Sequence, residues 1–254
     1  MTIAVGFACQ DGIVIAADRQ VTGTGYTYQD CKLRAHRWKN GMAIWGFSGD
    51  VDTQKLIWQD IEKTFSRDAV IGKEEIQATL SQIVASHMRK KEEFYLIFGT
   101  FVDGKRALFI ASKARVTFGD RCEVIGWGDS PLSRYLRGLF IRYGQMPTIR
   151  TAAVKAIDFI RQAKNYDGQY VGGDTDVYML NSTDNTMLAI HPTYARELER
   201  DLELVEIHRE SLLRDLLDPD GNQQSIAQSS AHLSKFTSVL QGKIKGLNGI
   251  ILLC

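Results

Sequence analysis

Four cysteines, Cys9, Cys31, Cys122 and Cys254, are all that the 254-residue chain carries, and no two form a Cys-x-x-Cys pair. No His/Cys run has zinc-site spacing either, so neither a metal nor a disulfide framework organises the fold, and free thiols in a reducing compartment are expected. No basic segment followed by an apolar run opens the chain, so no secretory signal is expected. No stretch approaches 18 apolar residues, which excludes a membrane-spanning helix. Net charge is only +1, leaving no electrostatic case for nucleic acid or an anionic membrane as partner. Internal repeats and low-complexity segments are lacking too. What is there, 44% hydrophobic and 24% charged residues, fits a soluble cytoplasmic globular protein long enough to bury a sizeable core.

The apolar pattern begins in strands. Ile3–Cys9 and Ile13–Ala17 are β-branched apolar runs separated by Gln10-Asp11-Gly12, a hairpin signal. Thr22–Tyr28 suits a loop or edge, and Met42–Trp45 a short buried strand ending in the turn Gly46-Phe47-Ser48-Gly49-Asp50. Two helical faces follow, Leu56/Ile57/Ile61/Phe65 and Ile76/Leu80/Ile83/Val84/Met88, with Gly72 between them. Strands return at Phe94–Val102, Ala107–Ala111 and Cys122–Ile125. A second helical pair is expected over about Leu132–Tyr143 and Thr151–Ala163, then strands at Asp176–Leu180 and Met187–Ile190. This order, strands and helix pairs in turn, implies an α+β fold. Its four layers are two stacked antiparallel sheets with helices on both outer faces, an αββα sandwich.

Pro192 marks a boundary between a domain over residues 1–191 and a helical C-terminal extension over 192–254. In the extension, Leu198, Leu202, Val205, Leu212 and Leu216 keep helical spacing, and 4 Arg face 8 Asp/Glu between Arg196 and Asp218. The ordinary reading of such a segment is a solvated amphipathic helix on its own domain. A further helix over about Ile226–Ile244 precedes the apolar Gly249–Cys254.

Thr2 is the first chemical candidate. Small second residues permit removal of Met1, and an N-terminal threonine combines a hydroxyl with a free α-amine, a known nucleophile–base pair. The amine's reference pKa of about 7.7–8.0 leaves part of it neutral near pH 7, able to accept the hydroxyl proton. On its own this start is commonplace. The context is not: a strand, the Asp11-Gly12 turn, a second strand, then Asp18-Arg19-Gln20-Val21-Thr22, Lys32-Leu33 and Gly46-Phe47-Ser48-Gly49-Asp50. In order and spacing these resemble the opening of proteasome β subunits and HslV, and the chain is similar to a divergent bacterial member of that N-terminal-nucleophile hydrolase family. The similarity continues through Gly126–Pro131 and Asp167–Asp176 to about His191.

The resemblance implies a threonine-type peptidase that cleaves amide bonds through an acyl-enzyme on Thr2, with no cofactor and no metal. It implies catalytic roles for Thr2, Asp18, Lys32, Gly46 and Asp167, and substrate contacts from Thr22, Asp30, Ile44 and Asp52. It also implies self-association into a ring or stacked rings, a peptide or protein substrate, and an ATP-dependent unfoldase as feeder. The residues make chemical sense in these roles. Asp18 ends the strand that returns beside Thr2 and is placed to hold Lys32. A lysine ammonium there lowers neighbouring pKa values. Gly46 N–H can meet an oxyanion. Arg34 is the rival to Lys32 if the intervening loop aligns differently.

Two positions depart from the family pattern. Gly128 replaces a serine in Gly126-Trp127-Gly128-Asp129-Ser130-Pro131, and Val171 replaces one in Asp167-Gly168-Gln169-Tyr170-Val171-Gly172-Gly173. These hydroxyls normally support the α-amine, with Asp129 and Ser130 as nearby substitutes. The departures keep two alternatives open: a weak or inactive structural ring subunit, and an acyl transferase or small-amide hydrolase of the same chemistry. The five histidines have no metal spacing and read as surface or capping residues, and Arg89-Lys90-Lys91-Glu92-Glu93 as a solvated helix end.

Overall fold

In the computed structural model, which describes residues 2–23, 25–67, 72–87, 94–113, 115–119, 121–126, 146–218, 223–246 and 250–253, the first two strands are buried on both faces. β1 (Ile3–Ala8) and β2 (Gly12–Asp18) pair antiparallel, Ala8 opposite Ile13 and Ala4 opposite Ala17. Ile3, Val5, Phe7, Val14 and Ala16 face one way. Ala4, Ala8, Ile13, Ile15 and Ala17 face the other. Burial on both sides explains why these strands read as continuous apolar runs rather than alternating ones.

The hairpin sits near the centre of a six-stranded antiparallel sheet of order β10-β1-β2-β11-β12-β13, with β10 Cys122–Gly126, β11 Thr175–Asn181, β12 Thr186–Ile190 and β13 Ile250–Leu252. A five-stranded antiparallel sheet holds β5 (Leu33–Trp38), β6 (Gly41–Gly49), β7 (Phe94–Val102), β8 (Lys105–Ser112) and β9 (Arg115–Phe118) in sequence order. A small ribbon, β3 (Gln20–Gly23) with β4 (Tyr26–Gln29), stands where a loop or edge is expected. Between the sheets lie Ile13, Ile15, Leu33, Ile44, Ile97, Leu108 and Leu180.

Helices α1 (Val51–Arg67) and α2 (Lys73–His87) cover the five-stranded sheet through Ile57, Trp58, Ile61, Phe65, Leu80 and Val84. Leu56, expected on that face, is exposed instead, and Trp58 takes the inward position. Helix α3 (Ile149–Tyr166) covers the six-stranded sheet, capped at its start by the Thr148 hydroxyl. The first member of that expected helical pair, 132–143, lies outside the described residues. The layers are helix, sheet, sheet, helix, as the sequence order implies.

Beyond β12, α4 (Pro192–Leu217) starts at the N-cap His191, whose ring nitrogen accepts from Thr193 N–H, with proline in the first turn. Helix α5 (Gln223–Gly246) returns antiparallel to it. The apolar stretch after α5 supplies the edge strand β13 against β12. Among the described residues no helix is long and apolar enough to cross a membrane.

Candidate active site

Asp18, at the end of β2, has no solvent exposure, and a buried carboxylate needs several donors. It has four. Ile3 N–H (3.0 Å) and Lys32 Nζ (2.9 Å) reach Oδ1. Gln20 N–H (3.1 Å) and Gly172 N–H (3.2 Å) reach Oδ2. The bond from Ile3 N–H fixes the backbone directly after Thr2, so the carboxylate that holds the lysine also holds the candidate nucleophile's residue.

Lys32 is 2% exposed and gives a second hydrogen bond to Gln20 carbonyl. Burial pushes its ammonium below the ordinary lysine value, against the opposing pull of Asp18 and the more distant charges of Asp176 and Asp30. Arg34 does not compete for this place. Its guanidinium donates to Cys31 and Leu33 carbonyls and lies 3.6 Å over the Trp58 ring.

Thr2 is 5% exposed. Its carbonyl accepts from Ser48 Oγ at 3.4 Å. Gly126, at the end of β10, closes against the same carbonyl with φ +82°, and a Cβ there would lie 2.0 Å from Thr2 O and 2.6 Å from Ser48 Oγ. Only glycine fits that contact. Ser48 is the site residue that sequence reasoning missed. It stands inside the quoted Gly46–Asp50 segment, and the available signal was a serine among the apolar residues of a buried run.

That segment is not the expected turn. β6 continues through it to Gly49, paired with β7, because Phe47 packs on Trp58 and Phe94. Leu33 opposite Gly46 is the last rung between β5 and β6. Past it, residues 47–49 have β7 on one side only, which leaves their other edge facing the site. Glycine at 46 has a packing reason of its own, since a Cβ would lie 2.8 Å from Leu33 Cδ2.

A second ion pair braces the surroundings. Arg19 grips Asp176 with two bonds, Nε to Oδ2 at 2.9 Å and Nη2 to Oδ1 at 2.8 Å. Gln20 Nε2 donates to Gln169 carbonyl at 2.9 Å, tying the β3–β4 ribbon to the loop after α3. Asp167 is the C-cap of α3, its N–H donating to Ala163 carbonyl and its carbonyl accepting from Tyr170 and Val171 N–H. Val171 is wholly buried in the core under α3. Gly128, Asp129 and Ser130 lie outside the described residues.

Thr2 and Lys32 open onto a cleft of about 310 Å³ walled by Thr22, Tyr26, Tyr28, Asp50, Asp52 and Lys55. Of the four expected substrate-contact residues, Thr22 and Asp52 line it. Ile44 is fully buried between the sheets, because the alternation of β6 turns it inward. Asp30 lies outside the lining, its N–H bonded to Arg19 carbonyl. Asp50 accepts from Thr53 N–H at 2.8 Å and so caps α1. Among the described residues no group of three or more His, Cys, Asp or Glu side chains converges as a metal site.

Residues 2–173 match the family model described as proteasome subunit. The chain belongs to the proteasome subunit family. Its fold is that of solved Anbu structures. Anbu from Hyphomicrobium sp. strain MC1 superposes with a TM-score of 0.68 at 16% identity, covering 86% of this chain and 99% of that one. Anbu from Yersinia bercovieri, described as an ancestral β-subunit, gives 0.67 at 15% identity, covering 87% and 99%. The Anbu complex from Pseudomonas aeruginosa, a helical assembly, gives 0.68 at 14% identity, covering 85% and 98%. No curated protein matches the chain. As a proteasome-family chain it has the N-terminal-nucleophile hydrolase architecture, and the buried Thr2–Asp18–Lys32 group lies within the matched span.

Proposed function

We propose that this chain is a threonine-type peptidase acting on peptides or unfolded protein. The observation that carries the reading is the buried Lys32–Asp18 pair whose carboxylate also grips the backbone next to Thr2. With Met1 removed, the α-amine of Thr2 takes the proton from Oγ, and Oγ adds to the substrate carbonyl. Lys32 stabilises the ionised hydroxyl, and Gly46 N–H receives the oxyanion. The adduct collapses to an ester on Oγ, and the amine product leaves with the proton returned by the α-ammonium. Water, deprotonated by the same amine, then releases the acid and restores the hydroxyl. Asp167 takes a supporting acidic role near the amine. Ser48 offers a hydroxyl from β6, where the family's serine at 171 is replaced by valine.

Self-association into rings or open stacks is part of the reading, supported by the family and by the helical assembly of the Pseudomonas neighbour. An ATP-driven unfoldase feeding a shared chamber in the cytoplasm completes it. Thr2→Ala is expected to abolish turnover of fluorogenic peptides without changing the folded state. Unchanged turnover would remove Thr2 as nucleophile. A wild type with no turnover at all, on any peptide, would favour a structural subunit.

Asp52, in the first turn of α1, is a carboxylate of the cleft wall placed to meet a substrate cation. Lys55 in the same wall offsets it in part. Cleavage after Arg or Lys is therefore expected to exceed cleavage after Leu or Phe, and Asp52→Asn to cut that preference. Peptide profiling checks this; faster cleavage after Leu in the wild type would contradict it.

A further inference from the structure

Three polar groups from three elements meet beside the strand that carries Asp18. Lys164 lies in the last turn of α3, Thr175 opens β11, and Glu199 comes from α4. Lys164 Nζ donates to Glu199 Oε1 at 2.6 Å and to Thr175 Oγ1 at 2.8 Å, while the Thr175 hydroxyl donates to the same Glu199 oxygen. One carboxylate oxygen thus serves both the ammonium and the hydroxyl, and the hydroxyl is used as donor and acceptor at once. The Lys164 and Glu199 side chains are 15% and 17% exposed, and Thr175 is wholly buried. The chemistry at Thr2 uses none of the three.

What this cluster holds is the segment that in turn holds Asp18. Thr175 stands opposite Asp18 in the β2–β11 ladder. Just before it, Gly172 N–H donates to Asp18 Oδ2, and Gly172 carbonyl accepts from Gln20 N–H. Asp174 carbonyl accepts from Arg19 N–H, and Asp176 takes the Arg19 guanidinium. The segment contains Gly172 and Gly173, the latter at φ +70°, and glycines leave a backbone the most conformational freedom. Its geometry is therefore set from its flanks. Upstream the C-cap of α3 does this. Downstream the flank is Thr175, and the carboxylate that fixes Thr175 belongs to α4. A second contact from α4, Arg196 Nε to Asp174 Oδ1 at 3.2 Å, is more exposed and so weaker.

On the reading of Thr2 as nucleophile, we propose that Glu199 is a positioning residue for the reaction. Through Lys164 and Thr175 it fixes residues 172–176, and with them the Asp18 carboxylate that orients Lys32 and the backbone after Thr2. Helix α4 then serves the active site as its outer support, although the family match ends at residue 173. Glu199 itself touches no reacting atom. Removing its carboxylate leaves the Lys164 ammonium without the counter-ion it has here and the buried Thr175 hydroxyl without its acceptor. The first residue of β11 is then free to shift, and a small misplacement of a reacting group is enough to slow the chemistry.

The experiment compares Glu199→Leu, Glu199→Gln and Glu206→Leu with the wild type, all in the full chain. Glu206→Leu is the control, because it also breaks an ion pair between α4 and α3, with Arg161. Glu199→Leu is expected to lower kcat about 10-fold or more, the scale of a small displacement in a site. KM should stay within about two-fold, since the loss falls on the reacting geometry and not on uniform binding. Glu199→Gln keeps an acceptor oxygen and should recover most of the loss, and Glu206→Leu should turn over like the wild type. Hydrogen exchange reads the same displacement without substrate: the amides of 172–176, Gln20 and Ile3 exchange faster in Glu199→Leu while those of α4 stay protected. Wild-type kcat in Glu199→Leu overturns the proposal. So does an equal loss in Glu206→Leu, or lost protection along all of α4, since either marks a simple loosening of the helix. A wild type that cleaves no peptide sinks the peptidase reading instead, and unchanged exchange at 172–176 then overturns the clamp by itself.

Discussion

Lys32→Ala is expected to lower turnover by about 10²-fold or more, the scale of a positioned electrostatic or acid–base group, while Arg34→Ala leaves turnover within a few fold. Both residues are cations at neutral pH and they lie two positions apart, so charge alone cannot separate them. Geometry does. Lys32 Nζ sits 2.9 Å from Asp18, whereas Arg34 is occupied with Trp58 and two carbonyls. A dead Arg34→Ala beside an active Lys32→Ala, in steady-state peptide hydrolysis, would reverse the assignment.

Stability follows from the same ammonium. Its pKa is lower folded than unfolded, so between the two values the unfolded chain binds more protons, and this group's contribution to stability rises with pH across that alkaline window. Lys32→Ala removes that contribution, and the variant's thermal midpoint should respond less to pH there.

Asp18→Asn should be costly in stability as well as activity. The carboxylate has no solvent exposure and receives four donors. An amide can accept Ile3 N–H through its oxygen, but it turns an NH₂ toward Gln20 and Gly172 N–H, donor against donor. It also strands the Lys32 charge. Breaking a buried pair from one side costs about 3–5 kcal/mol, which for a domain of this size lowers Tm by roughly 10 °C. Thermal unfolding checks this. A shift within about 2 °C would show that the carboxylate is not the organising group.

The legible part of the fold was its doubly buried interior. β1, β2, β7 and β11 are dense in apolar residues because both of their faces are covered. β5 and β9 escaped because Leu33–Trp38 and Arg115–Phe118 mix charged and apolar residues on half-exposed edges, where pairing with β6 and β8 decides the conformation. β13 escaped because three residues after a helix carry no strand period, and the edge of β12 supplies the template.

At the site, Asp18 and Lys32 were readable from order and spacing. Ser48 at Thr2 and Gly172 at Asp18 were not. These contacts join residues 46 and 154 positions apart, and local pattern does not say which partner each one meets. Ile44 shows the converse: the resemblance implies a substrate contact, whereas strand alternation turns the side chain into the core.

Thr2 as a free N-terminal nucleophile leaves a signature that intact-mass measurement reads. The purified chain is incubated with a peptide epoxyketone, which bonds to both the hydroxyl and the free α-amine of an N-terminal threonine. The predicted spectrum shows the chain lighter by one methionine and heavier by one inhibitor, with Thr2→Ala lacking the adduct. Retention of Met1, or equal labelling of wild type and Thr2→Ala, would remove Thr2 from that role.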